Sequence, residues 1–277
     1  MDQIIRDMIN ERSFEGAAPD KRAVHEALQQ VVLAGLYRSG FFEKAAFYGG
    51  TCLRIFHGLE RFSEDLDFSL YRPDPKFDLS MYFDSILAEL AAYGCDAEIR
   101  KKKKTKMVSV ESAFLKSDTT IYDIETELQG KITIKIEVDT DPPGGFQTEP
   151  LSLVTPFTFL TPCYTLPNLY AGKMHAFLYR KWRNRVKGRD WYDFAWYVRK
   201  GVKLNLDHFN IRAMQTNTNI KRPFSKEEFL EAVRETIHKT DIAAAREEVF
   251  PFLRDGNIVK SWSKEYFLIQ CEHIMLR

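Results

Sequence analysis

Between Ala45 and Leu70 a short apolar strand pattern runs into Gly49-Gly50-Thr51. A helical stretch follows through Cys52, Leu53, Ile55 and Phe56, stops near Gly58, and gives way to the alternating segment Asp65-Leu66-Asp67-Phe68-Ser69-Leu70. No other part of the chain constrains its architecture as tightly. Glycines at a strand-to-helix turn let the backbone approach a ligand, and the first turn of the following helix offers N–H groups to an anion. Side chains alternate along a strand, so Asp65 and Asp67 project from one face while Leu66, Phe68 and Leu70 enter the core. Two neighbouring carboxylates repel each other; a shared Mg²⁺ or Mn²⁺ relieves that repulsion and presents a hard cation to phosphate oxygens. Taken singly, a Gly-Gly pair is an ordinary tight turn and an Asp-x-Asp pair an acidic strand end. Together, and with Arg61 and Ser63 just before the aspartates, they outline a site for a triphosphate.

A third carboxylate is available on the strand predicted over Ile132–Asp139. There Lys135, Glu137 and Asp139 share one face, while Ile134, Ile136 and Val138 share the other. Glu137, with Asp139 as the alternative, would complete a set of acids able to hold two metal ions, one at the attacking hydroxyl and one at the leaving pyrophosphate.

Elsewhere the pattern predicts an amphipathic helix over residues 1–12, a break at Gly16–Asp20 with Asp20 as a cap, and a helix from Lys21 to about Ser39 ended by Gly40. Another helix is expected over Leu79–Tyr93, and further strands near Met107–Val110 and Ile121–Leu128. The turn cluster Asp141-Pro142-Pro143-Gly144-Gly145 closes this half. Beyond about residue 160 the texture becomes helical. Thr165 and Pro167 start a helix to about Arg185, Asp190–Lys200 forms a second ended by Gly201, and Ser225 with Glu228 makes a capping box for a third. The expectation is an α/β front half, residues 1–155, followed by an α-helical domain over 156–277.

Composition sets limits. The chain has 277 residues, 44% hydrophobic and 29% charged, ordinary for a globular protein that needs neither disulfides nor metal for its core. A net charge of +1 does not by itself argue for a nucleic-acid partner. Cys52, Cys95, Cys163 and Cys271 are widely spaced, which points to reduced thiols. No signal peptide or membrane-length apolar run is present, and a cytoplasmic location is expected.

Local charge is more informative. From Lys173 to Arg189 the charged residues are all basic and lead into Asp190 and Asp193. Such a helix either lines an anion-binding cleft or is a solvated face with its stems lying along apolar surface. Asp193 also has the spacing to pair with Arg189 across one turn. A second basic run, Arg100–Lys104 with Lys106, is either solvated or a contact for an RNA backbone. The aromatic residues Trp191, Tyr192, Phe194, Trp196 and Tyr197 read as packing rather than base stacking. His175 reads as structural.

Taken together, Gly49-Gly50-Thr51-x-Leu53-Arg54, Arg61-Phe62-Ser63-Glu64-Asp65-Leu66-Asp67-Phe68, Ile134-Lys135-Ile136-Glu137-Val138, Leu169 to Lys173 and Arg189-Asp190-x-x-Asp193-Phe194 resemble the AbiEii/AbiGii toxin family. The resemblance covers about residues 22–200. It implies a nucleotidyltransferase fold, a polymerase β-like mixed sheet with flanking helices, followed by a helical C-terminal domain. It also implies Mg²⁺-dependent transfer of an NMP from an NTP to RNA, with tRNA the expected acceptor, and a cognate antitoxin. In the family a lysine at the position of Lys173 binds NTP phosphates, and an aspartate of the Arg-Asp-x-x-Asp block is required, Asp190 being the first choice and Asp193 the second. Two other functions use the same residues: nucleotidylation or phosphorylation of a partner protein, and NTP binding without turnover. In all three, Lys173 and Asp190 are expected to face Asp65 and Asp67 across a cleft.

Overall fold

The structure, a computed structural model, describes residues 2–11, 21–101, 119–126, 132–180 and 186–277. Helix α1 (Gln3–Asn10) starts at Asp2, whose carboxylate accepts from the Ile4 N–H. Helix α2 (Lys21–Arg38) is buried on every side from Ala23 to Leu36, the signature of a helix at the centre of a domain. The expected Asp20 cap and the Gly16–Asp20 break lie outside the described residues.

Strand β1 (Ala45–Tyr48), helix α3 (Gly49–His57) and strand β2 (Asp65–Leu70) follow as the sequence pattern predicts. A 3₁₀ turn over Leu79–Tyr82 leads into α4 (Phe83–Ala92). Then come β3 (Ala97–Lys101), β4 (Thr119–Thr126), β5 (Ile132–Asp139), β6 (Thr148–Leu153) and β7 (Phe159–Tyr164). These seven form one mixed sheet in the order β3-β4-β5-β2-β1-β7-β6. Strands β2 and β5 run parallel at its middle, and β1 is antiparallel to β2 and parallel to β7.

Alternation explains the sheet's two faces. Leu66, Phe68, Ile134, Ile136 and Val138 are buried, whereas Asp65, Asp67, Lys135 and Glu137 on the opposite face are partly exposed. Helix α2 packs against both β5 and α4. It comes so close to α4 that a Cβ on Gly35 would lie 2.8 Å from the Ile86 Cα.

The second part is helical: α5 (Leu166–Tyr179), α6 (Gly188–Arg199), α7 (Leu206–Thr216), α8 (Lys226–Lys239), α9 (Ile242–Val249) and α10 (Lys264–Glu272). Ser225 and Glu228 form the predicted capping box on α8. Two short strands, β8 (Lys203–Leu204) and β9 (Met275–Leu276), pair in parallel and tie the C-terminus to the α6–α7 link. One continuous hydrophobic core runs from Ile5 to Cys271, so the helices and the sheet share an interior.

The structure corrects two expectations. The sheet does not end at the turn cluster: β6 and β7 extend it to Tyr164, so helix does not begin at residue 156. Buried Phe159, Thr161 and Cys163 alternate with Leu160 and Pro162, but Pro150 faces Pro162 across the pair, and two prolines read as loop. Pro150 is tolerated because β6 is an edge strand; Pro162 lies on β7, which pairs with β1 at Phe47–Cys163. The basic run Arg100–Lys104 is also not wholly a loop before a strand. Arg100 and Lys101 close β3, where Arg100 pairs with Glu98 (2.9 Å) and Glu125 (3.4 Å). The remainder of that run and the strand expected near Met107–Val110 lie outside the described residues. Among the described residues of 166–200 there is no strand, as expected.

The head of α6 meets α9 backbone to backbone. A Cβ on Gly188 would sit 1.9 Å from the Ala245 carbonyl oxygen, which no side-chain rotation can relieve. Gly188→Ala is therefore expected to lose ~1–3 kcal/mol through overpacking. A thermal melt should show the loss as a lower Tm, with the sheet's far-UV signature retained.

Candidate active site

The glycine turn makes room for the site's own side chains. Gly49 has φ +86°, and Tyr48 before it lies opposite Asp67 in the β1–β2 register. A Cβ on Gly49 would fall 2.2 Å from Asp67 Oδ2; one on Gly50 would fall 2.7 Å from Ser63 Oγ and 3.0 Å from Arg61 Nη2. Both positions exclude side chains so that Asp67, Ser63 and Arg61 can stand where they do. Thr51 has a different place from the one expected. It is fully buried, its Oγ1 donates to the Asp65 carbonyl oxygen, and it does not reach the cleft. From α2, Gln29 Nε2 donates to the carbonyls of Ser63 (3.1 Å) and Glu64 (2.9 Å), fixing the approach to β2.

Strands β2 and β5 set their polar residues side by side: Asp65 with Lys135, Asp67 with Glu137, Ser69 with Asp139. The Lys135 ammonium contacts Glu137 and stands 3.9 Å from Asp65 Oδ2. Burial pushes the Asp65 carboxyl above its ordinary range; Lys135 opposes this, and Glu137 and Glu64 add to it. The face is thus acidic and short of positive charge. Among the described residues no three Asp, Glu, His or Cys side chains converge into a metal cage, because Glu137 is turned to Lys135. Asp65 and Asp67 still fit Mg²⁺, which characteristically takes one or two carboxylates and completes its shell with water and substrate phosphates. The lysine ammonium among these acids marks the place as one that attracts a cation.

Helices α5 and α6 form the facing wall. Lys173 Nζ lies 2.7 Å from Asp193 Oδ2, and Arg61 donates from Nε to Asp193 Oδ1 (2.6 Å) and from Nη2 to Oδ2 (2.7 Å). Asp193 is 0% and Arg61 2% exposed. Burial alone would raise the Asp193 carboxyl, but the two cations overcome it and hold it below the usual range. Burial likewise opposes the charge on Arg61, and Asp193 more than restores it. The predicted Asp193–Arg189 pairing does not form. Arg189 instead donates to Glu64 (2.9 Å) and lies over the Phe252 ring at 4.0 Å. Asp190, in the first turn of α6, is buried at the cleft.

These elements enclose a cleft of about 480 Å³. Gly49, Gly50, Arg61, Ser63, Asp65, Asp67, Glu137, Lys173 and Asp190 all line it. Of the candidate nucleotide, metal and catalytic residues, Thr51 and the alternatives Asp139 and Asp193 do not. The aromatic residues of α6 are buried packing, and His175 shares a hydrogen bond with Thr216 Oγ1 (2.7 Å). Sequence reasoning missed Gln29, the bridging place of Lys135 and the hub at Asp193. Gln29 carries no local signal, being a polar residue within a buried helix; Lys135 was visible as the base that shares a strand face with Glu137 and Asp139.

Comparison with known proteins decides the family. Residues 31–268 match the family described as nucleotidyl transferase AbiEii toxin, type IV TA system. The chain belongs to that family. Two solved structures with the same fold are JHP933 from Helicobacter pylori and MenT4, the nucleotidyltransferase toxin Rv2826c from Mycobacterium tuberculosis H37Rv. JHP933 is 15% identical, with 92% of each chain covered and a TM-score of 0.53. MenT4 is 14% identical, with 96% of this chain and 92% of that one covered and a TM-score of 0.52. No curated protein matches in sequence. Membership in a type IV family implies a cognate antitoxin. Among the described residues no helix is long and apolar enough to cross a membrane.

The raised Asp65 carboxyl has a measurable consequence. A carboxyl whose folded pKa lies above its unfolded value, about 3.9, destabilises the fold once the pH exceeds the folded value, and the penalty disappears below the unfolded one. Without divalent metal, Asp65→Asn should therefore be more stable than the parent chain at pH 7.5. That advantage should shrink as the pH falls toward 4, as read from paired denaturant melts.

Proposed function

We propose that the protein transfers an NMP from an NTP to an RNA acceptor, with tRNA the expected class. The observation that carries this reading is the opposition of the Asp65/Asp67 pair on β2 to Lys173 and Asp190 on α5 and α6, across one cleft large enough for a nucleotide. Phosphoryl chemistry of this kind needs no protein nucleophile; it needs positioning and charge neutralisation. Asp65 and Asp67 would hold Mg²⁺, with Glu137 joining if Lys135 swings away. Bound there, the ion would neutralise phosphate oxygens and acidify the acceptor hydroxyl.

The chain's own groups do the remainder. The first turn of α3, opened by Gly49 and Gly50, offers backbone N–H groups to the triphosphate, and Ser63 Oγ lies against that turn. Lys173 presents a compact ammonium, suited to a phosphate as a point charge, and Asp193 fixes its direction. Arg61 was expected to bind phosphate directly. Its guanidinium is already engaged by Asp193 and by the Phe62 carbonyl (3.0 Å), so its part is to hold Asp193, and through it Lys173, in place. Asp190 stands beside Lys187 and Arg189 where the acceptor hydroxyl would enter, a position suited to receiving or orienting its proton.

Incubation with each of four α-labelled NTPs, Mg²⁺ and separated RNA and protein fractions tests this. Label should pass to RNA, and Asp67→Asn should abolish transfer, by about a thousandfold or more, while melting like the parent chain. Label confined to the protein fraction would make a partner protein the acceptor. Binding with no transfer to either fraction would reduce the site to an NTP-holding module.

A further inference from the structure

At the end of the cleft away from Arg61 and Ser63 lies a group of polar side chains that the transfer chemistry does not use. Along β5 the cleft face passes from Lys135 through Glu137 to Asp139, each step about 7 Å. Beside Asp139 stands Arg212 of α7, its Nη2 3.9 Å from Asp139 Oδ2. One turn earlier on α7 is His208, 1% exposed, and both residues line the cleft. Neither ring nitrogen of His208 has a hydrogen-bond partner, and Arg212 Nε has none either. The Gly144 backbone is close enough to favour the charged ring but stands outside hydrogen-bond geometry. Buried polar groups are nearly always paired, so three unpaired nitrogens at the floor of one cleft point to a ligand.

The surroundings state what kind. Burial, and then the Arg212 guanidinium, push the His208 imidazole down to about 4. At neutral pH the ring is uncharged, with one nitrogen donating and the other accepting. Arg212 Nε adds a fixed donor. Tyr48 and Tyr164, whose rings lie 5.3 Å apart, supply aromatic wall to the same end of the cleft, and Tyr164 meets His208 edge-on at 6.0 Å. A flat group with mixed donors and acceptors on its edge and an aromatic face fits this floor; a phosphate does not, because a neutral ring and a cation already facing Asp139 add little positive charge.

We infer that His208 and Arg212 form the subsite that reads the edge of the incoming NTP's nucleobase, with Tyr48 and Tyr164 beside its face. This rests on the nucleotidyl-transfer reading and extends it. Phosphates then lie toward Gly49, Gly50, Ser63 and Lys173, the sugar passes the acids in the middle, and the base reaches the floor. The enclosure of His208 favours a small ligand's base over the terminal base of a polynucleotide, which must stay joined to its chain outside.

The full chain with Mg²⁺ is titrated calorimetrically with each of the four NTPs and with inorganic tripolyphosphate, alongside His208→Phe, which keeps a ring and removes the nitrogens, and Arg212→Lys, which keeps the charge and removes the Nε–H. The parent chain should bind its preferred NTP more tightly than tripolyphosphate. Each variant should lose roughly tenfold or more in that NTP's affinity, about what one lost hydrogen-bonded pair is worth, with tripolyphosphate binding unchanged. His208→Phe should melt at or above the parent temperature, since it removes two unpaired nitrogens; a purely structural histidine would lower it. Should one variant fail to fold, the other carries the same comparison. Unchanged NTP affinity and preference in a folded variant, or an equal loss of tripolyphosphate affinity, overturns the base subsite alone. Failure of the parent chain to bind either NTP or tripolyphosphate overturns the transfer reading and the subsite with it.

Discussion

A carboxylate with no solvent contact, Asp193, is shared by two cations that come from distant parts of the chain. Arg61 belongs to the loop that delivers Asp65 and Asp67 to the sheet, Lys173 to the helix that follows the sheet, and Asp193 lies 132 residues after Arg61. The trio carries one net positive charge, placed in the wall where phosphates would arrive. Its cost is the desolvation of all three groups, which is offset only because the bidentate geometry satisfies the carboxylate from both sides. Remove Asp193 and the Arg61 guanidinium is left buried without compensation. The cleft exists with its present shape because this contact holds α5 and α6 against the motif loop.

Opposite that wall, the sheet does the reverse. It gathers acids on one face, with Lys135 as a partial counter-charge and the Asp65 carboxyl held above its ordinary range by burial first. The balance is unfavourable for the empty protein and, on the proposed reading, would become favourable once a cation and a triphosphate arrive, a common way for an active site to spend stability on function. The floor with His208 and Arg212 follows the same logic, with two ring nitrogens and one guanidinium nitrogen left unpaired until something fills the space.

What could be read from the sequence was local. The β1–Gly–Gly–α3–β2 passage, the shared face of Asp65 and Asp67, the alternation of β5 and the Ser225 capping box all depend on neighbours a few residues apart, and the structure has them where the pattern put them. The family resemblance brought Lys173 and Asp190 to the same cleft. What could not be read was pairing over distance. Nothing near Arg61 in the chain says that its partner is Asp193 rather than a phosphate. Nothing near Thr51 says that its hydroxyl is consumed by the Asp65 carbonyl. The β6–β7 pair was hidden by two prolines, Pro150 on the edge strand and Pro162 on its neighbour. The different places of Asp190 and Asp193 likewise depended on three dimensions: one carboxylate stands at the cleft, the other is locked between two cations.

The most direct test of this account is a double-mutant cycle on unfolding free energy with Arg61→Met, Asp193→Leu and the two combined. If Asp193 is the hub, Asp193→Leu strands the buried Arg61 guanidinium and Arg61→Met leaves the buried carboxylate to Lys173 alone, and each loses ~3–5 kcal/mol. The double variant, which buries apolar groups in place of both, should lose well under the sum, with a coupling of about 2 kcal/mol or more. Losses that add to within about 0.5 kcal/mol would show that the two residues act independently, and the account of how the halves are joined would be wrong.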